Sequence, residues 1–364
     1  MEPEPHKRPI RFYEIDLLRF LAALSVVIYH YTFRGYAEGQ YSPLAFPELS
    51  RATRYGYLGV ELFFIISGYV VLLSAQGKTV RQFFLSRVTR LYPAFWVACT
   101  LTFMVKLLGG PGPTDAAMSP SLHAGLVQYA VNMTMLHEFL HFEMMDGAYW
   151  SLTVEITFYL LIAILIGFDL LKHLTLVIAL WLAYTALPGA VREGTLFPTL
   201  FFPAYAPFFA AGMLLYLMQQ PGGRTWPRYV LLLASYLLGL RASLGRVGSL
   251  VLLYHEPFSK LVVAVVITAF FVVMVSVAFR KIDLNRFTWL AWLGALTYPL
   301  YLLHSDIGFI IFHRGQHLAN KYVLVGGTLI MMLAAAYLIH AFIEKRFSKV
   351  LGRQTNRLLD ALNR

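Results

Sequence analysis

Residues 14–33 read EIDLLRFLAALSVVIYHYTF. At 1.5 Å per residue this helix is long enough to cross the ~30 Å hydrocarbon core of a bilayer, yet it holds Asp16, Arg19 and His30. Ionisable groups are costly in lipid, so their presence within a span marks a functional site or a tightly partnered one. At 100° per residue, Arg19 and His30 lie about 20° apart around the helix, with Asp16 one turn before Arg19. The three form a stripe that places His30 about 16 Å beyond Arg19. Functionally, the stripe joins a charged mouth to a titratable imidazole deep in the bilayer. Structurally, it is an Asp–Arg anchor plus a histidine that glues helices together.

The rest of the chain agrees with a membrane setting. Of 364 residues, 58% are apolar or aromatic and 13% are charged, about half the ~25% charged share of soluble domains. There are too few charges to cover a water-exposed surface. Apolar runs near 14–33, 56–76, 84–108, 148–168, 170–187, 201–219, 229–244, 259–279, 288–312 and 322–343 predict an all-α polytopic integral membrane protein of about ten transmembrane helices. The run near 229–244 is short and suits a half-helix. Lys plus Arg number 30 against 19 acids, but they sit in short clusters between spans, which argues against one nucleic-acid-binding face and for membrane topology. Most of them fall on one side if both termini are cytoplasmic, while the longest outer loop, from Gly109 to Gly147, has no Lys or Arg. The expected organisation is a disordered cytoplasmic N-terminus over 1–10, a transmembrane domain over 11–345 and a basic amphipathic cytoplasmic tail over 346–364, lying on an anionic inner leaflet. The N-terminus has no small-residue cleavage signature, so the first span should persist, and no soluble catalytic domain is expected at either end. The lone Cys99 lies in an apolar run and excludes an intramolecular disulfide framework and a Cys-rich metal site. No internal repeat of the kind found in many secondary transporters is visible.

Other spans carry further polar groups. RVTRLYPAFW sets Arg87 and Arg90 one turn apart after Lys78 and Arg81, and two guanidinium forks at that spacing suit a phosphate or pyrophosphate; an ordinary positive-inside anchor is the plainer reading. Pro93 starts or kinks that span. WSLTVEITFYL repeats Ser151, Glu155 and Tyr159 on one face; Glu155 suits either His30, whose tautomer a carboxylate would set, or a structural arginine. LTYPLYLLHSD places Thr297, Tyr301 and His304 on one face around Pro299, to contact substrate or simply to pack in the core. Ser67 and Gly68 suit close helix packing, with Ser67 as a nucleophile the alternative. His137-Glu138-x-x-His141 matches the zinc-protease pattern, but the outer loop supplies no third ligand at a telling spacing; His123 and Glu143 would make at most a weak structural site.

The order of these motifs resembles the acyltransferase family 3 membrane proteins, which O-acylate bacterial surface carbohydrates. The matching stretches are DLLRFLAA from Asp16 with His30 after it, GVELFFIISG over 59–68, RVTRLYP over 87–93, WSLTVEITFY over 150–159, PFFAAG over 207–212 and LTYPLYLLH over 296–304. The resemblance covers roughly 11–345. It implies about ten spans in the bacterial inner membrane, an acyl-CoA donor (usually acetyl-CoA) taken from inside as co-substrate with no permanently bound cofactor, and a carbohydrate or glycolipid acceptor outside, such as exopolysaccharide or lipopolysaccharide. It also implies that Arg19 and His30 match the family's essential first-span pair and that Arg87 and Arg90 match its R-x-x-R pair near the donor.

The combined expectation is a membrane O-acyltransferase with His30 as general base, Glu155 orienting it, and Arg19 and Asp16 beside it. A transient acyl-imidazole is the covalent variant. Arg87, Arg90 and Arg81 hold the CoA phosphates, His304, Tyr301, Tyr159, Ser151 and Ser67 line the acceptor cavity, and no metal is required. The rivals are a transporter or flippase of a lipid-linked sugar and a zinc metalloprotease acting through His137 and His141.

Overall fold

The computed structural model describes residues 12–39, 41–112, 115–187, 189 and 196–362. The expected N-terminal segment 1–10 lies outside them. Among the described residues the chain is helical and has no strand. Apart from shorter helical segments, the helices are α1 (Tyr13–Tyr29), α2 (Gly59–Ala75), α3 (Val80–Gly109), α4 (Trp150–Gly167), α5 (Leu174–Ala186) and α6 (Ala206–Gln219). They are followed by α7 (Trp226–Tyr254), α8 (Lys260–Ala278), α9 (Leu290–Leu303), α10 (Ser305–Gly315), α11 (Lys321–Leu338) and α12 (Lys345–Leu362).

Among the described residues, eight helices are long and apolar enough to cross a membrane, and α9 with α10 forms a ninth candidate that is bent by 63°. Leu170–Ala186, where the sequence suggests a full span, is apolar but shorter. The half-helix expected near 229–244 is instead part of the 29-residue α7. Arg241 and Arg246, which end the apolar run in sequence, sit inside α7, where Arg241 donates to Thr185 O at 3.2 Å and Arg246 to the Tyr205 hydroxyl at 3.1 Å. Pro93 likewise lies within α3, which begins at a Thr79–Gln82 capping box.

Lipid tails are as apolar as leucine, so helices in a membrane associate through close contact of small residues. A Cβ on Gly68 of α2 would lie 2.1 Å from Phe209 O of α6, and one on Gly212 of α6 would lie 1.9 Å from Ile65 O. The two backbones therefore touch. Phe64, Phe158 and Phe209 close the same seam, with ring centroids 4.8 and 4.3 Å apart. Gly294 performs the same service between α9 and α1, where a Cβ would come within 2.2 Å of Asp16 Oδ1.

We call the face at which α1 begins the near face. There α12, which continues from α11 through a π-turn at Ile339–Glu344, packs on α3: Ser348 donates to Thr89 O at 2.8 Å. The amphipathic tail thus covers a helix of the bundle as well as presenting Phe347, Val350 and Leu358 outward.

The bend between α9 and α10 follows from competition for backbone groups. Pro299 has no N–H to give to the carbonyl one turn earlier. The N–H of Asp306 donates to Asp146 Oδ2 at 3.0 Å, and the Leu302 carbonyl it would have taken accepts from the Tyr149 hydroxyl at 3.3 Å. Tyr31 donates to His304 O at 2.8 Å. Side chains inserted into the helical ladder are a recognised cause of kinks, and a broken helix survives at membrane depth only where its freed groups are satisfied in this way.

Lys106 completes the arrangement. Its fully buried ammonium donates to Asp306 Oδ2 at 3.0 Å, Ser121 O at 2.8 Å and Met145 O at 3.0 Å. Lys106→Met should therefore lower stability by about 3–5 kcal/mol, because it strands a buried carboxylate. Adding Asp306→Asn should recover part of that loss in thermal unfolding of the detergent-solubilised protein. Equal melting temperatures for wild type and Lys106→Met would contradict the buried ion pair.

Candidate active site

The first helix ends by widening into a π-turn over His30–Arg34, a feature that often marks functional sites. His30 is buried there, and its Nδ1 lies 2.7 Å from Nε2 of His304. The two rings lie nearly parallel and edge to edge, with centroids 4.8 Å apart and 10° between planes. His304 occupies the break between α9 and α10, and its Nδ1 lies 2.7 Å from Tyr301 O. On the other side of His30, Nε2 lies 3.4 Å from Arg34 Nη1. Arg34 is held by Glu38 one turn on, and Glu38 also accepts from the Tyr254 hydroxyl at 3.4 Å, which itself lies 2.6 Å from the Tyr29 hydroxyl.

Two cavities flank this group. The far cavity is lined by His30, Arg34, Glu38, Tyr57, Trp150, Arg246, Tyr254 and Tyr301, among others. Its walls are aromatic, and the Arg246 guanidinium lies 5.7 Å from the Tyr57 ring and 5.8 Å from that of Trp150. The cavity towards the near face is lined by Arg19, Arg90, Glu155, Ser67, Ser151, Gly294, Thr297 and Tyr301. Val60 and Tyr301 border both. The Tyr301 hydroxyl lies 2.7 Å from Ser151 Oγ and 3.2 Å from Ala148 O, so the waist between the cavities is a hydrogen-bonded tyrosine pinned to the start of α4.

The structure thus gathers Arg19, Arg90, Glu155, Ser67, Ser151 and Tyr301 in one cavity and His30 with Tyr301 in the other. It does not pair Glu155 with His30. Both nitrogens of His30 are engaged by His304 and Arg34, whereas Glu155 accepts from the Tyr159 hydroxyl and faces the arginines. Asp16 is tucked against Gly294 in the α1–α9 seam. Arg87 lies over the Phe83 and Tyr159 rings at 5.5 and 5.4 Å. Arg81, grouped with the donor arginines by sequence, turns to the tail, donating to Asn356 Oδ1 and, at 2.6 Å, to Asp360 Oδ1. His304 stands behind His30 rather than on a cavity wall.

Sequence reasoning missed Arg34, Glu38 and Arg246. Arg34 is one helical turn after His30 and could have been found from that spacing; Arg246 was hidden by reading α7 as a short span. The zinc pattern is not realised, since 137–141 is a run of turns, with His141 at φ 56°. The i,i+4 facing that such a site needs is missing. His137 is buried, which lowers its pKa, and among the described residues no group of three His, Cys, Asp or Glu is placed to hold a metal ion. On the far side of the break, burial and the neighbouring Asp306 hold the Asp146 carboxyl well above the usual carboxylate range.

A family model described as an acyltransferase domain matches residues 12–341. A Bacillus subtilis (strain 168) protein provisionally named peptidoglycan O-acetyltransferase YrhL is 26% identical over 163 residues, covering 40% of this chain and 22% of the relative. The Listeria monocytogenes (serovar 1/2a) peptidoglycan O-acetyltransferase OatA is 26% identical over 206 residues, covering 48% of this chain and 29% of the relative. The matched stretches are thus less than a third of either relative's length. No solved structure matches the chain.

The Arg81 contacts make a prediction independent of chemistry. Arg81→Ala should expose Lys345–Leu362 to trypsin several-fold faster while leaving bundle stability within about 1 kcal/mol, as expected for a partly exposed pair. An unchanged cleavage rate would show that α12 is held by other means.

Proposed function

The chain belongs to the acyltransferase family whose domain it carries over residues 12–341, and on that premise we propose that it moves an acetyl group from acyl-CoA on the near face to a carbohydrate hydroxyl on the far face. The observation that supports this reading is the pair of cavities meeting at Val60 and Tyr301, with Arg19 and Arg90 in one and His30 in the other. A membrane enzyme that joins substrates from opposite sides needs two such mouths and one shared wall. The loops and tail on the near face hold most of the basic residues, so that face is cytoplasmic by the positive-inside rule, and the setting is the inner membrane of a bacterium. The names of both relatives point to an acetyl group and to a cell-wall glycan as acceptor.

CoA brings a pyrophosphate and a 3′-phosphate. Arg90 and Arg87 meet these at the near mouth, since guanidiniums bind phosphate through charge-assisted forks. Glu155 balances the arginines of the cavity. The thioester extends past Ser151 to the Tyr301 waist. There the acceptor hydroxyl gives its proton to Nε2 of His30 as its oxygen bonds to the thioester carbonyl carbon. Arg34, next to that nitrogen, is placed to donate to the negative charge developing on the carbonyl oxygen. The C–S bond then breaks, and the thiolate leaves with the proton that His30 had accepted. Acyl-CoA is a co-substrate here, and no resident cofactor takes part.

Two measurements test this. His30→Ala should lower acyl transfer by at least about 10²–10⁴-fold while acyl-CoA still binds with near wild-type Kd. A purified His30→Ala protein that still acylates carbohydrate at the wild-type rate sinks the assignment. Arg87→Ala with Arg90→Ala should weaken acyl-CoA binding by roughly tenfold or more, the value of at least one lost charged hydrogen bond; an unchanged Kd removes the phosphate role. A lipid-linked-sugar flippase would show no thioester turnover in the same assay.

A further inference from the structure

The hydrogen bonds around His30 form a chain whose two ends can each act in only one direction. At one end is Tyr301 O, a backbone carbonyl, which accepts and never donates. His304 Nδ1, 2.7 Å away, must therefore carry a proton. A neutral imidazole has one N–H, so Nε2 of His304 is bare and accepts. The His30 Nδ1 that lies 2.7 Å from it must then be the donor. That leaves Nε2 of His30 with its lone pair. At the other end is Arg34, whose guanidinium has donors and no acceptor; its Nη1 lies 3.4 Å from that same Nε2. A lone pair facing a guanidinium is compatible, whereas an N–H facing it would set donor against donor. The carbonyl and the guanidinium thus demand the same pair of tautomers independently.

The chain is also held in place. Both rings are buried and lie nearly parallel, and the His304 carbonyl is fixed by the Tyr31 hydroxyl. His304 sits at the 63° break between α9 and α10, where its ring meets that of His30. The outcome is an imidazole on the wall of the far cavity whose Nε2 keeps its lone pair beside Arg34 and whose Nδ1 is held by His304.

We propose that His304 is the positioning residue of the reaction: by accepting from Nδ1–H of His30 it locks His30 in the tautomer whose Nε2 is the base, with a neutral imidazole in the place where hydrolase triads use a carboxylate. This rests on the acyl-transfer reading above. No atom of His304 touches substrate, and its effect falls on kcat.

The test separates the tautomer from the activity. Wild type and His30→Ala, each labelled with ¹⁵N-histidine and reconstituted in bilayers, are compared by solid-state NMR, and the difference spectrum isolates His30. The expected signal is protonated at Nδ1 and bare at Nε2. A His30 protonated at Nε2 overturns the proposal whether or not the protein transfers acyl groups. In acyl transfer, His304→Phe keeps an aromatic ring without an acceptor and should cut kcat by about 10²–10⁴-fold with KM for acyl-CoA unchanged, whereas His304→Gln, whose amide oxygen restores an acceptor, should lose less than tenfold. A His304→Phe protein with wild-type kcat, or a His304→Gln protein as poor as a folded His304→Phe, also overturns it. Should His304→Phe fail to fold, the wild-type NMR measurement still decides. Absence of acyl-CoA turnover in wild type would defeat the functional reading and leave the NMR result standing on its own.

Discussion

Everything functional in this protein hangs on backbone groups that a membrane helix gives up at one point. Between α9 and α10 the ladder is cut, and in hydrocarbon each freed N–H or C=O costs several kcal/mol unless it is met. Here side chains meet several of them: Asp146 takes the N–H of Asp306, Tyr149 caps the carbonyl of Leu302, and His304 itself satisfies that of Tyr301. The His304 carbonyl, which accepts from Gly308 N–H at the start of α10, also takes the Tyr31 hydroxyl. The break is therefore a junction that ties α1 and the loop before α4 to the α9–α10 pair. Its cost is offset by contacts that also set the position of the imidazoles.

The same junction explains why buried ions are present away from any substrate. Lys106 and Asp306 are almost completely enclosed, and Gly147 donates to Asp306 Oδ1 at 3.1 Å. Gly147 is also part of the far-cavity wall. The ion pair thus anchors the loop that forms one side of the cavity. Buried pairs are weak contributors to net stability but strongly resist loss of one partner, and this one holds a wall in register with the ring of His30.

Close packing supplies the rest. Gly68 and Gly212 bring backbones into contact along the α2–α6 seam, and Gly294 makes room for the Asp16 side chain along the α1–α9 seam. The arginines meanwhile divide by height along α1. Arg19 reaches the near cavity, and Arg34, fifteen positions later in the chain, reaches the far one at roughly 22 Å along the axis. One helix therefore serves both mouths, with Val60 of α2 and Tyr301 of α9 separating them.

Apolar run length and the scarcity of charge determined that this chain is a helical membrane bundle, because twenty apolar residues have no other inexpensive place to go. The cost of a buried charge likewise singled out Asp16, Arg19, His30 and Glu155 without any coordinates, since such residues are rarely kept in a span without a reason. Partnership was another matter. Helical spacing gives the angle of a side chain around its own helix and says nothing of which helix faces it. So Glu155, assigned to His30 from charge logic, lies with the arginines, and His304 holds the imidazole instead. The 63° break at His304 could not be read from an unbroken apolar run, because hydropathy registers a side chain's preference for lipid and is blind to where backbone hydrogen bonds are diverted. Tertiary structure alone decided that diversion, and with it which partner faces each nitrogen of His30.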